Sequence, residues 1–295
     1  MMMDTAADPA LILVDKPSGW TSRKAGAIVS KAIGIRKVGH LGTLDPFATG
    51  LLPLCVGRGT RLSHFLDQSV KGYRAELVLG LETDSADCDG EVVREAPVPS
   101  FDLESLRALA AEFVGQIEQI PPVYSAVKID GQRAYKRARR GEAVEMPPRS
   151  VRIDRFDVEV LDDRRLLLEV ECGPGTYIRS LGADLAKRLG TVGHLDQLRR
   201  TLVGDLTVDQ AAHPEALSPD SVWSTGRLLA ALGRRLQLEA PEVAHVRHGK
   251  PLEELDSLSS LSVGRYAVFG DDEPIALIEA SPTGLSILRG LPPQP

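Results

Sequence analysis

Apolar positions recur along the chain in several distinct rhythms. Leu11–Val14 is an unbroken apolar run closed by the polar turn DKPSGW, the pattern of a short strand buried on both faces. Ala25, Ile28, Val29, Ala32 and Ile33 then fall three and four residues apart. That spacing predicts a helix, capped by Thr21 or Ser22 and stopped by Gly34. GLLPLCV (50–56) predicts a second buried segment, and Pro53 is incompatible with a helix interior. Tyr73–Leu79 alternates as a strand and leads into the acidic loop LETDSADCDG. Leu103, Leu106, Ala110 and Phe113 predict a helix closed by Gly115, and IPPVYSAVKIDG (120–131) reads as extended and turn-rich. Val151–Val160 and Arg165–Cys172 read as two strands joined by the turn LDDR. Ile178, Leu181, Leu185 and Leu189 mark another helix, opened by Thr176 and ended by Gly190. Prolines 214, 219 and 241 break the pattern, and RYAVFG, PIALIEA and LSILRG beyond them predict a small barrel-like β unit.

Composition narrows this picture. The 295 residues suit one large domain and a small one, and 43% hydrophobic with 26% charged residues is that of an ordinary globular protein. Three scattered cysteines (55, 88 and 172) form no C-x-x-C pair, which argues against a disulfide framework and a zinc cluster and fits a reducing cytoplasm. The opening MMMDTAADPA carries no basic residue, and the apolar run after it is four residues long, so neither a signal peptide nor a membrane span is expected. Residues 1–10 are expected to form a flexible tail.

The stretch GHLGTLDPFATG (39–50) carries the sharpest candidate chemistry. Pro46 disfavours helical backbone at Asp45, and Gly39, Gly42 and Gly50 permit tight geometry on both sides. Leu44, Phe47, Leu51 and Leu52 make an apolar surround. An aspartate of ordinary pKa, about 3.9, is ionised at neutral pH and can act as a nucleophile without a partner base. An Asp capping its own turn explains the same letters. His40 has no second or third ligand at metal spacing, so it reads as a loop hydrogen-bonding residue.

Two further features bear on function. CGPGTYIRSLGADLAKRLG (172–190) places free backbone N–H groups at a helix start, where an anion can bind, although a plain strand–helix turn is the favoured reading. Arg179 sits in that first turn, where the helix dipole disfavours a cation, so it needs a carboxylate or a polar substrate as partner. The segment 128–152 holds eight basic and three acidic residues, with Tyr124 and Tyr135 close by, and Arg23, Lys24, Lys31, Arg36 and Lys37 form a second basic strip. The whole chain carries −6, so two basic strips point to a local phosphate-backbone partner.

At this point the motifs resemble a known family. GHLGTLDPFATGLLPLCVGRGTR resembles the signature of the bacterial TruB-type tRNA pseudouridine-55 synthases. DKPSGWTS, KGYRAELVLGLETDSADCDG, PPVYSAVKIDGQRAYKRARRG and GTYIRSLGADLAKRLG resemble further blocks of that family in the same order, over about residues 11 to 205. The resemblance implies an α+β fold: a mixed, mainly antiparallel sheet flanked by helices (11–236), and a PUA-like RNA-binding domain at 237–295. It implies an isomerase that breaks the N1–C1′ bond of a tRNA uridine and rejoins the base through C5. Asp45 falls on the nucleophile, Tyr73 on a tyrosine packing against the base, and Arg179 on the arginine paired with the carboxylate. His40, Tyr177 and Leu198 fall on positions that contact the RNA or the everted nucleotide, and Asp87 on an acid near the site. The insert 124–149 falls on a flexible element that closes over the RNA. The expected partner is the T-stem-loop of tRNA, with no membrane, no metal and no cofactor, since the isomerisation needs neither redox step nor group donor. A cytoplasmic monomer is expected.

Two other readings remain open from the residues alone. One is a non-catalytic RNA-binding protein. The other is a nucleoside- or glycoside-cleaving enzyme using Asp45 with a second acid from Asp84, Asp87 or Asp89.

Overall fold

The computed structural model describes residues 8–291 except 126, 130, 135, 136, 138, 139, 141 and 143. Tyr135, Lys136 and Arg139 of the basic insert therefore lie outside the described residues, as does most of the expected tail. Pro9 and Ala10 already belong to the first strand.

The main sheet is built from β1 (Pro9–Lys16), β2 (Val38–His40), β3 (Thr49–Val56) and β4 (Lys71–Leu79), and from partners far along the chain. A hairpin of β5 (Leu81–Thr83) and β6 (Val92–Glu95) and strand β7 (Gly115–Gln119) follow. Next come the short ladder β8 (Lys128–Ile129) with β9 (Gln132–Arg133), then β10 (Arg149–Val160), β11 (Arg165–Cys172) and β12 (Gly193–Val203). Short strands β13 (Leu206–Thr207) and β14 (Trp223–Ser224) close the large unit. The order across the sheet is β14-β1-β3-β12-β4-β11-β10-β7, with β2 on β3 and β13 on β12. All ladders are antiparallel save β3 with β12.

Helices α1 (Ser22–Ile33), α3 (Leu103–Ala111) and α4 (Ile178–Arg188) contribute to the apolar core on one face of this sheet; a short α2 (Ser63–Asp67) follows β3. The apolar runs of β1 and β3 are explained by burial on both faces. Ile12, Val14, Leu52 and Leu54 enter the helix-side core, whereas Leu11, Leu13, Leu51 and Cys55 enter a second core. That second core includes Leu228 and Leu229 of α5 (Thr225–Leu232) and Ala267, Phe269 and Leu277 of the C-terminal sheet. The latter has the order β15 (Arg234–Gln237), β16 (Gly264–Gly270), β17 (Glu273–Ser281), β18 (Gly284–Gly290), and α6 (Ala240–Arg247) packs on it. Strand β10 shows instead the alternation of a half-exposed strand, interrupted by a bulge between Ile153 and Arg155.

Most element boundaries follow local chemistry. The Thr21 side chain accepts from the Lys24 N–H, and Gly34 closes α1 at φ 71°. Two boundaries differ from the sequence reading. Helix α3 ends at Ala111, and Gly115, at φ 109°, opens β7. Helix α4 is opened by Tyr177 without a side-chain cap; the Thr176 hydroxyl donates back to the Gly173 carbonyl.

The parallel contact of β3 with β12 depends on Gly50. It sits at φ 99°, and a Cβ there would lie 2.3 Å from the Arg200 carbonyl oxygen. Gly50→Ala should therefore destabilise the protein by about 2–4 kcal/mol in urea unfolding. Gly26, inside α1 with nothing within 4 Å of such a Cβ, serves as the contrast. Gly26→Ala should stabilise by about 0.5–1 kcal/mol in the same assay.

Candidate active site

Asp45 begins a turn in which the Ala48 N–H donates to the Asp45 carbonyl at 3.2 Å, with Pro46 at the position its fixed φ favours. The loop is clamped from one side by the DKPSGWTS segment. Ser22 Oγ donates to the Leu44 carbonyl (3.0 Å) and accepts from the Leu44 N–H (2.9 Å). Ser18 Oγ donates to the Phe47 carbonyl, and the Gly19 N–H to the Pro46 carbonyl. Lys16 is fully buried, and its ammonium donates to the carbonyls of Pro17, Trp20 and Pro46 at 3.0, 2.6 and 3.2 Å. Burial lowers its pKa to about 8, against the opposing pull of Asp45.

From the other side the loop is held by Arg200 of β12, a residue the sequence reading passed over. Its guanidinium is 1% exposed and donates to the carbonyls of Leu51 (2.7 Å), Leu41 (3.3 Å) and Gly42 (2.9 Å). Its neighbour Arg199 points to the opposite face and binds Asp15 of β1 through both carboxylate oxygens, at 3.0 and 2.8 Å. Alternation along one strand thus sends one arginine to the loop and one to β1.

The Asp45 carboxylate meets Arg179, whose Nε lies 3.0 Å from Asp45 Oδ2. The Arg179 side chain is 3% exposed and the Asp45 side chain 34%, so the cation is buried while the carboxylate faces a cleft. The rest of the guanidinium is also engaged. Nη1 lies 3.0 Å from Asp87 Oδ2 and donates to the Ser85 carbonyl at 2.7 Å, and Nη2 donates to the Tyr124 carbonyl at 2.8 Å. This set of partners accounts for a cation in the first turn of α4. Burial pushes the Asp45 pKa above that of a free aspartate; Arg179 opposes the shift, and the Asp87 charge adds to it. The guanidinium serves two carboxylates, so its compensation of Asp45 is shared.

Asp87 is itself oriented by a built loop. Its Oδ1 accepts from Ser85 Oγ (2.6 Å) and from the Asp89 N–H (3.1 Å), and its carbonyl accepts from Thr83 Oγ1. Ala86 is held at φ 58°, a conformation that costs a non-glycine residue about 1–2 kcal/mol, and its carbonyl receives the Leu195 N–H.

Asp45, Arg179, Tyr73, Tyr177 and Leu198 line one cleft of about 270 Å³. Burial raises the Tyr73 pKa, against the Arg200 charge its hydroxyl faces, so this side chain is a neutral phenol at neutral pH. Asp87 lies behind Arg179 and does not line the cleft. His40 is exposed on β2 and lines an adjoining depression with His64 and Thr60; Gly42, Thr43 and Asp67 lie on the boundary of the two. The GPGT turn also borders the cleft, yet the Tyr177 N–H donates to Gln119 Oε1 at 2.8 Å, while Gln119 Nε2 donates to the Tyr177 carbonyl. The N–H that precedes the helix is thus paired with the Gln119 amide. Among the described residues no group of three or more His, Cys, Asp or Glu is placed to hold a metal ion.

The architecture is that of the pseudouridine synthases. Over its full length the chain superposes on 88% of the matched chain in the crystal structure of a Cbf5–Nop10–Gar1 complex, with TM-score 0.71 and 22% identity. It superposes on 89% of the matched chain in an archaeal box H/ACA Nop10–Cbf5 complex, with TM-score 0.68 and 21% identity. These likenesses concern the fold. Residues 30–178 match the family model "TruB family pseudouridylate synthase (N terminal domain)". The tRNA pseudouridine synthase B of Ralstonia pickettii is 44% identical, across 95% of this chain and 91% of that protein. The enzymes of the same name from Psychrobacter cryohalolentis (39%; 90% and 77%) and Xanthomonas axonopodis pv. citri (40%; 94% and 89%) are similar over comparable spans. The chain belongs to the TruB family of pseudouridylate synthases.

Lys16→Met would take the ammonium donor from the carbonyls of Pro17, Trp20 and Pro46, the last of which keeps the Gly19 N–H, and should cost about 2–5 kcal/mol in urea unfolding. The sign of its pH dependence follows from the lowered pKa. Between about 8 and the ordinary Lys value of 10.5 the unfolded chain holds a proton that the folded chain has released. Stability from this group therefore rises with pH across that window. Unfolding of the wild type should show that rise relative to Lys16→Met; parallel pH profiles would contradict it.

Proposed function

We propose that this protein is the tRNA pseudouridine synthase that isomerises uridine-55 of the T-loop, with Asp45 as nucleophile. The observation that carries the reading is the ion pair of Asp45 with the buried Arg179 at the mouth of a cleft lined by Tyr73, Tyr177 and Leu198. A base inside a folded loop is out of reach, so the nucleotide is everted into the cleft at a cost of a few kcal/mol. Contacts to phosphates and packing against Tyr73 offset that cost. Asp45 attacks the everted nucleotide, and the N1–C1′ bond breaks. The detached uracil turns within the walls of the cleft and bonds to C1′ through C5; Asp45 is released, C5 loses its proton and N1 takes one up, so the composition is unchanged. Arg179 stays in place because its other nitrogens are bound to Asp87 and to the carbonyls of Ser85 and Tyr124. No redox partner or group donor enters the balance.

The proposed RNA surface includes the exposed side of α1, with Arg23, Lys24 and Lys31, and the exposed Arg36, Lys37 and His40 beyond it. The described parts of the insert 124–149 are more committed than the sequence suggested, for Arg137 and Arg140 both lie near Glu142. We assign the four-stranded C-terminal unit as the PUA-like RNA-binding domain and place the enzyme in the cytoplasm as a monomer. No helix among the described residues is long and apolar enough to cross a membrane.

The deciding experiment is incubation with unmodified tRNA transcript and mapping of pseudouridine by position. Wild type should modify position 55, and Asp45→Asn should bind the transcript but form none; turnover by the variant would remove Asp45 from the mechanism. The rate of the wild type should fall on the acid side at a pH above that of a free aspartate. Asp87→Asn should move this limb downward, because the Asp87 charge helps raise the Asp45 pKa. Neutralising Arg23, Lys24 and Lys31 should flatten the salt dependence of tRNA binding by roughly 0.7–0.9 per lost phosphate contact. An unaltered slope would mean that this side of α1 faces solvent alone.

A further inference from the structure

Ser125 stands in the wall of the same cleft, and its chemistry is unused by the scheme above. The residue is 5% exposed, and its hydroxyl has no hydrogen-bond partner among the described residues. Buried hydroxyls without partners are uncommon in folded proteins because desolvation is not compensated. Other unpartnered side-chain oxygens among the described residues, on Thr191 and Thr225, do not line the cleft.

The backbone leading into Ser125 is held in place. The preceding carbonyl, of Tyr124, receives Arg179 Nη2 at 2.8 Å, and the Ser125 N–H donates to the Val123 carbonyl at 2.9 Å, a three-residue turn. Upstream, Ser180 Oγ of α4 donates to the Ile120 carbonyl at 2.8 Å. The side chain is thus tied, through one peptide bond, to the guanidinium that contacts Asp45.

We propose that the Ser125 hydroxyl hydrogen-bonds the everted nucleotide, at the pyrimidine edge or the ribose 2′-hydroxyl, and so sets its orientation against Asp45. The inference rests on the pseudouridine synthase reading. A serine hydroxyl can donate and accept at once, so it can follow a polar atom of the nucleotide as the detached base turns.

Stability and chemistry separate the possibilities. Removal of an unpartnered hydroxyl leaves no protein group orphaned, so Ser125→Ala should melt at the wild-type temperature or above it. Its single-turnover rate on a saturating T-stem-loop transcript should nevertheless fall, by roughly three- to thirty-fold. Ser125→Thr, which restores a hydroxyl, should recover part of the loss. A transcript with 2′-deoxyuridine at the target position divides the two atoms. If Ser125 bonds the ribose, the penalty of Ser125→Ala disappears on this RNA; if it bonds the base, the penalty persists. Wild-type rate and affinity in Ser125→Ala, with wild-type enzyme active, would overturn this proposal and leave the enzyme assignment standing. A wild type that forms no pseudouridine in any transcript would overturn both.

Discussion

The site depends on one buried guanidinium with four partners. Arg179 binds Asp45, Asp87 and two backbone carbonyls, from three separate segments of the chain. A buried cation is tolerated when carboxylates and carbonyls around it compensate its charge, and removing one of them costs more than the pair contributes. The segments 45, 85–87 and 124 are therefore held in fixed relation by the cost of leaving Arg179 unmatched. Of its two carboxylates, Asp87 is enclosed and Asp45 is open to the cleft. The enclosed one anchors the arginine, and the open one is available to a ligand. A single Asp–Arg pair would be free to swing; the second carboxylate removes that freedom.

Two more buried cations repeat the device on the nucleophile's own loop. Among the described residues neither Lys16 nor Arg200 has a carboxylate at hydrogen-bond distance; they collect carbonyls, three each, and those of Leu41, Gly42, Pro46 and Leu51 belong to the loop itself. A loop cannot satisfy its carbonyls through a ladder, and water would leave it mobile. Buried side-chain donors give it the rigidity of a strand without the geometry of one. They also place positive charge behind Asp45, which the approach of RNA phosphate would otherwise burden.

The sequence made much of this legible, and the failures have physical causes. Thr21 and Gly34 bounded α1 because capping is local, and the runs of β1 and β3 declared burial on both faces. Asp45 stood out through Pro46 and the glycines around it. The helix dipole makes the Arg179 cation conspicuous and calls for a carboxylate or a polar substrate, and the family resemblance points to the Asp45 carboxylate. That Arg179 has two carboxylate partners became visible only when β12 brought Leu195 beside Ala86. Lys16 and Arg200 were illegible for a different reason. Charged residues in a turn and in an Arg-Arg pair ordinarily face solvent, and only tertiary contacts turn them inward. Gly115 was taken as the end of a helix because a left-handed glycine serves equally to begin a strand. Ser125 gave no sequence signal at all: its distinguishing feature is a missing partner, which only coordinates reveal.

The C-terminal unit bears on the site through packing as well as through any contact of its own with RNA. Leu13 of β1 and Leu51 of β3 share a core with Leu228, Phe269 and Leu277. The opposite faces of these two strands support the loop that carries Asp45, through Lys16 at the end of β1 and the Leu51 carbonyl that receives Arg200. Loss of the C-terminal sheet would strip one face from both strands, leaving apolar side chains in water. The loop would then lose the rigid floor against which its buried cations act. The unit that the sequence sets apart as an appendage is, in packing terms, a support behind β1 and β3.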